Sequence, residues 1–187
     1  MSKMSNFSFR EAFIFKILNG FDNQKGPLDH FLRKFFRANK TIGSKDRRFI
    51  SESIYTIIRW KGLIDYFACL PVSDTPPTWE RRYQTFKTMD IPSLHSQSHI
   101  PLHSRVSFPQ FFFQMLLNTL GEEKAVEFCL ASNQSAPTTI RVNTLKTTRD
   151  QLLQLWDNIY EVSPCQISPC GIVFHKKVNF FELPEFQ

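Results

Sequence analysis

The chain has 187 residues, 42% of them hydrophobic, and a formal charge of +6. That length holds one full domain or two small ones, with enough apolar residues for a core, and the basic balance favours anionic partners. No stretch reaches the roughly 18 apolar residues of a membrane span, the start is too interrupted by Arg10, Glu11 and Lys16 for a signal peptide, and the four cysteines are too dispersed for a disulfide framework, so the expectation is a reduced, cytoplasmic protein without a membrane partner.

The first predicted element is a helix over residues 8–19, with Ala12, Phe13, Ile17 and Leu18 on its buried face and its end near Asn19-Gly20. Pro27 is placed to open a second helix carrying Leu28, Phe31, Leu32 and Phe35 at helical spacing, and Gly43 breaks the chain after it. The third helix is the clearest: Ser44 reads as its N-cap, Asp46 suits the first turn, and Ile50, Ile54, Ile57 and Ile58 form one stripe. Arg48, Glu52, Tyr55 and Arg59 fall on another face. A break at Gly62 precedes a short helix through Leu63–Leu70 that Pro71 stops.

Residues 73–107 are rich in Pro, Ser and His and read as a linker or irregular region, with room for a short helix around Glu80–Met89. His95, His99 and His103 recur there every four residues, among Pro and Ser, as a solvated loop. Pro109 starts a helix through Leu120, Gly121 ends it, and Glu122–Ser132 forms another. After Pro137 the pattern changes. Ile140 and Val142 alternate with Thr139, Arg141 and Asn143, as in a half-buried strand. Thr148 and Gln151 have capping-box spacing, and Leu152, Leu155, Trp156 and Ile159 make the buried face of the helix that follows. "YEVSPC", "GIVFH" and "VNFFEL" read as strands or extended runs. Strand–helix–strand–strand is an α+β unit with a small sheet.

Charge is uneven along this plan. Residues 33–61 hold nine Lys or Arg against Asp46 and Glu52, whereas residues 138–187 are balanced. Lys45, Arg47, Arg48, Arg59 and Lys61 form the best candidate basic cluster. Such a cluster attracts phosphates; the alternative is that it merely solvates a helical bundle, with Arg48 paired to Glu52 one turn on. Arg141, Lys146 and Arg149 flank the strand–helix turn, either as docking residues or as ordinary surface charges. Phe174, Phe180 and Phe181 are able to stack on bases in the manner of an RNA-binding sheet, or to serve as core or as a covered surface.

Two stretches together resemble one family. "SKDRRFISESIYTIIRW" (44–60) is similar to a helix of the NusB-like domain that precedes RsmB/Sun-type (Nol/Nop/Sun) RNA cytosine-C5 methyltransferases. "APTTIRVNTLKTTRDQLLQLW" (136–156) is similar to the Arg-Val-Asn stretch of that family's next module, an RRM-like domain. "FPQFFFQMLLNTLGEEKAVEFCLASNQSAP" (108–137) resembles the connecting helices, with Phe111 where Trp is commoner. The resemblance covers residues 9–70 and 108–187 and fails over 71–107, which is too short for the rest of a NusB-like bundle.

The resemblance implies an α+β chain: a NusB-like helical RNA-binding domain over 1–72, the linker over 73–107, and connecting helices with an RRM-like module over 108–187. Its implied role is to bind and position structured RNA, ribosomal or transfer, for a Rossmann-type catalytic domain expected beyond Gln187. The implied RNA-binding residues are Lys45, Arg47, Arg48, Arg59, Lys61, Arg141, Lys146 and Arg149. The family chemistry uses S-adenosylmethionine and two cysteine thiolates, one adding to C6 of cytosine. A cofactor site of that kind needs a glycine-rich turn, and the six glycines here include no G-x-G. This chain is therefore expected to hold no cofactor, no metal and no catalytic residue. Pro164-Cys165 and Pro169-Cys170-Gly171 imitate the family's Pro-Cys pair, but no cofactor fold precedes them and they read as a turn between strands. The alternative to the methyltransferase reading is a stand-alone NusB-like RNA-binding or antitermination module.

Overall fold

The structure, a computed structural model, describes residues 7–69, 76–94, 96–176 and 178–186. Pro71, His95 and Lys177, and the side chain of Phe181, lie outside the described set. The chain divides into two compact units, Met1–Asn133 and Gln134–Gln187.

Local chemistry sets most helix boundaries in the first unit. Ser8 caps α1 (Phe9–Asp22) in a capping box: its hydroxyl accepts from the Glu11 N–H while the Glu11 carboxylate accepts from the Ser8 N–H. Pro27 precedes α2 (Leu28–Ala38), as expected. Gly43, rather than Ser44, is the N-cap of α3 (Ser44–Arg59), and no side chain caps that end. Trp60, rather than Gly62, parts α3 from α4 (Lys61–Ala68). Gly62 has a different constraint. Its N–H donates to the Ser107 hydroxyl at 2.9 Å, and a Cβ at this position would lie 3.1 Å from the Ser107 Cα.

The stretch expected to be a linker carries α5 (Trp79–Thr88) and the short helices α6 (Ile91–Leu94) and α7 (Leu102–Arg105). Trp79 and Tyr83 of α5 enter the same core as Ile14, Ile17 and Leu18 of α1 and Ile50, Ile54 and Ile57 of α3. Burial of each such side chain is worth about 1.5–3 kcal/mol, which explains why a polar, proline-rich segment is recruited: two aromatics anchor it. Arg82 goes in with them. It is only 6% exposed, its Nε donates to Asp65 Oδ1 at 2.6 Å, and its guanidinium lies over the Trp79 ring. The apolar face of α1 is rotated from the expected one: Ile14 and Phe15 are buried, Phe13 is half-buried and Ala12 is exposed. The bulkier side chains take the core, and alanine has the least surface to hide.

α8 (Gln110–Leu120) and α9 (Glu122–Ser132) follow the sequence reading closely. Gly121 joins them at φ 78°, a left-handed conformation that glycine adopts without strain. They bury Phe113, Ala125 and Cys129 against Val106 in a second, smaller core.

The second unit is a three-stranded antiparallel sheet and one helix. β1 (Thr138–Arg141), β2 (Val162–Pro164) and β3 (Gly171–Phe174) stand in the order β1-β3-β2, with Ile140 opposite Ile172 and Val162 opposite Phe174. α10 (Arg149–Trp156) opens on the expected Thr148–Gln151 capping box. Val142, Trp156, Ile172 and Phe174 form the core. Two expectations fail here. Leu155 is 52% and Ile159 64% exposed, because α10 is only two turns long and ends at Trp156, which alone fills the core from that helix's end. "VNFFEL" is a 3-10 turn over Phe180–Glu182, not a strand: Glu182 N–H donates to Asn179 O, the Asn179 amide to the Glu182 carboxylate, and Phe180 packs edge-on against Phe174 at 5.1 Å.

No helix among the described residues is long and apolar enough to cross a membrane.

Candidate nucleic-acid interface

Lys45, Arg48, Glu52, Tyr55 and Arg59 recur along α3 at spacings of three and four, away from the buried isoleucines. Their individual settings differ. Lys45 is exposed and Arg59 half-exposed, and neither has an ion-pair or hydrogen-bond partner among the described residues. Arg48 donates to Glu52 at 2.9 Å, the solvating pair weighed above, although 77% of its side chain stays in solvent. Arg47 turns inward: Nε donates to Ile42 O at 2.7 Å, Nη2 to Lys40 O at 3.3 Å, and the guanidinium lies 5.8 Å from the Phe36 ring centroid. It pins the α2–α3 loop. Lys61 pairs with Asp65, the carboxylate that also holds Arg82.

The structure adds residues that the site reading omitted. His30, Arg33, Lys34 and Arg37 are all exposed on one face of α2, at i, i+3, i+4 and i+7, and together line a depression of about 280 Å³. Asp29 is the acid beside them, 3.9 Å from both His30 Nε2 and Arg33 Nη2, a separation at which exposed pairs contribute little. The Tyr55 hydroxyl of α3 titrates above its ordinary range, chiefly through burial and then through Asp29, with Arg33 opposing. Arg33, Lys34 and Arg37 were visible in the charge count; applying helical periodicity to charges as well as to apolar residues finds the face.

In the second unit Arg141 is exposed on β1, while Val142 next to it is 2% exposed, as the strand alternation predicts. Lys146 is exposed in the strand–helix turn. Neither side chain has a partner among the described residues. Arg149 is engaged: Nη1 donates to Ser168 O at 3.4 Å, tying the start of α10 to the β2–β3 turn. Phe174 is 3% exposed and packs against Trp156 and Tyr160, so it offers no open stacking face. Cys165 and Cys170 flank that turn as free, half-buried thiols. Backbone N–H groups of Ser168 and Ile167, and more weakly Arg149, hold the Cys165 thiol below its ordinary pKa, whereas burial pushes Cys129 up. Among the described residues no group of His, Cys, Asp and Glu is arranged to hold a metal ion.

What this arrangement does chemically is present cations at helical and turn spacing. No curated protein matches the chain. The solved structure of PH0851 resembles it with a TM-score of 0.55 at 17% identity, which is a likeness of fold. The match covers 95% of this chain and 50% of that one, so the chain spans about half the length of that protein. Residues 108–180 match the family described as "Methyltr_RsmF/B-like, ferredoxin-like domain". They run from α8 through the sheet, over the stretches whose resemblance was noted in the sequence. The match supports the resemblance of this stretch to the N-terminal region of RsmB/Sun-type enzymes.

Proposed function

We propose that this chain is the RNA-gripping, non-catalytic region of an S-adenosylmethionine-dependent RNA cytosine-C5 methyltransferase. The observation that carries the reading is the family match over 108–180, joined to the exposed basic faces of α2 and α3. The helical first unit takes the NusB-like part. His30, Arg33, Lys34 and Arg37 with Lys45, Arg48 and Arg59 meet phosphates of structured RNA, ribosomal or transfer, while Arg47, Lys61 and Arg149 hold the protein's own loops and carboxylates in place. Arg141 and Lys146 add contacts from the second unit.

The β1–α10 turn does not suit S-adenosylmethionine. The turn between β1 and α10 runs from Val142 to Thr148 without a glycine, so backbone cannot approach a cofactor closely there. The cofactor and the thiolate chemistry belong to a methyltransferase domain of the whole protein, the partner that this region serves. A stand-alone antitermination module is disfavoured by the methyltransferase family match.

The test is a titration of RNA with the chain across salt concentrations. Each neutralised phosphate contributes about −0.7 to −0.9 to the slope of log K against log salt. The double variant Arg33→Glu/Lys34→Glu is expected to flatten that slope by about 2 and to weaken binding at least tenfold. Unchanged RNA affinity in the variant, or no RNA binding by the wild type at micromolar protein, refutes the grip. Methyl transfer from labelled S-adenosylmethionine to RNA by this chain alone refutes the non-catalytic part.

A further inference from the structure

The second unit contains a cavity of about 580 Å³ that the phosphate contacts leave unexplained. It lies between β1, the strand–helix turn, α10 and the final 3-10 segments. Its size falls within the roughly 300–1,000 Å³ of small-molecule sites. Two kinds of group line it. Ile140, Leu152, Leu155, Phe180 and Phe186 supply apolar and aromatic surface, and Arg141 and Lys146 supply exposed cations without partners among the described residues.

A second observation points to a ligand. Trp156 lines the cavity, is only 3% exposed, and its indole N–H is buried without a hydrogen-bond acceptor. A buried donor left unpaired costs roughly 1–3 kcal/mol. The other buried indole of the chain, Trp79, donates to Asp22. Glu185 is the acidic group of the lining. It opposes a phosphate deep in the cavity and suits the amino or imino hydrogens of a base.

We propose that this cavity takes the base of an unpaired RNA nucleotide, with Arg141 and Lys146 on its flanking phosphates. The inference rests on the RNA reading above and gives it a second part. The first unit grips backbone regardless of sequence; the second holds one splayed base by stacking and by contacts to its edge, as single-stranded RNA is commonly read. Leu155, half-exposed at the cavity wall, is explained as part of this surface rather than as a failed core residue.

The test uses the full chain and the indole N–H signals of its three tryptophans in NMR spectra. Cytidine, uridine, adenosine and guanosine monophosphates are titrated separately, with inorganic phosphate as control. At least one nucleotide is expected to shift the Trp156 indole signal at millimolar concentration while leaving that of Trp79 in place, and phosphate alone is not. The variant Leu155→Arg, at a half-exposed position that tolerates change, is expected to abolish the shift. It should also weaken binding of a single-stranded oligoribonucleotide at least tenfold, with duplex RNA bound as before. Arg33→Glu/Lys34→Glu should do the converse to the Trp156 shift, leaving it intact. An unmoved Trp156 signal with every nucleotide, or wild-type single-strand affinity in Leu155→Arg, overturns the proposal. Loss of all RNA binding with the nucleotide shift retained overturns the RNA reading instead, so the two failures are distinct.

Discussion

The charged residues of this chain divide by what surrounds them. Arg47 and Arg48 are adjacent in sequence, yet one is bonded to two backbone carbonyls and the other stands in solvent beside Glu52. Proximity in sequence says nothing of this, because consecutive helical residues are about 100° apart and see different surroundings. Arg82 is the extreme case, buried against Asp65 and stacked on Trp79. Replacing Arg82 with Met should strand the Asp65 carboxylate, three-quarters covered, with only Lys61 to balance it. A loss of about 2–4 kcal/mol is expected in urea denaturation. Arg82→Met/Asp65→Leu should recover much of it, since removing both charges also removes the stranded one. If the double variant is no more stable than the single, the ion pair is not the cause.

Among elements, α1 shows how a helix start becomes sensitive to pH. The Glu11 carboxyl is held below its ordinary value, first by the Ser8 N–H and then by Lys87 at 3.0 Å. A lowered carboxyl stabilises the fold fully above the unfolded value of about 4.3 and loses that contribution as pH falls through the folded value. Glu11→Ala should therefore cost about 1 kcal/mol at pH 7. The gap between variant and wild type should close in strongly acidic solution. A gap that stays constant with pH would assign the effect to packing. The α3–α4 joint makes a different prediction. Gly62→Ala puts a methyl group 3.1 Å from the Ser107 Cα, and a backbone neighbour cannot rotate away. A loss of about 1–3 kcal/mol is expected in thermal unfolding, and a neutral or stabilising result would show that the 107 turn yields.

For the whole molecule, the division after Asn133 has a measurable consequence. Residues 134–139 are all exposed, from the end of α9 into β1. Brief digestion with a protease of broad specificity should cut first at 134–136 and leave two resistant pieces, identified by mass spectrometry. Early cleavage inside α8 or α9 would contradict the division. The family match runs from 108 to 180 and so spans this boundary; a unit of relatedness and a compact unit need not coincide.

The sequence by itself determined the elements whose signals are local: the capping box at Thr148, the Gly121 joint, the isoleucine stripe of α3 and the alternation of β1. These rest on hydrogen bonds and backbone angles within a few residues, so the chain spells them out. Only the tertiary structure decided that residues 79–88 are core and not linker, that Phe180–Glu182 is a turn and not a strand, which arginines remain free, and where a cavity opens beside Trp156. Each of those depends on what packs from far along the chain. The Arg82–Asp65 pair, seventeen residues apart, and the Trp79–Asp22 bond, fifty-seven apart, leave no periodic trace in the sequence.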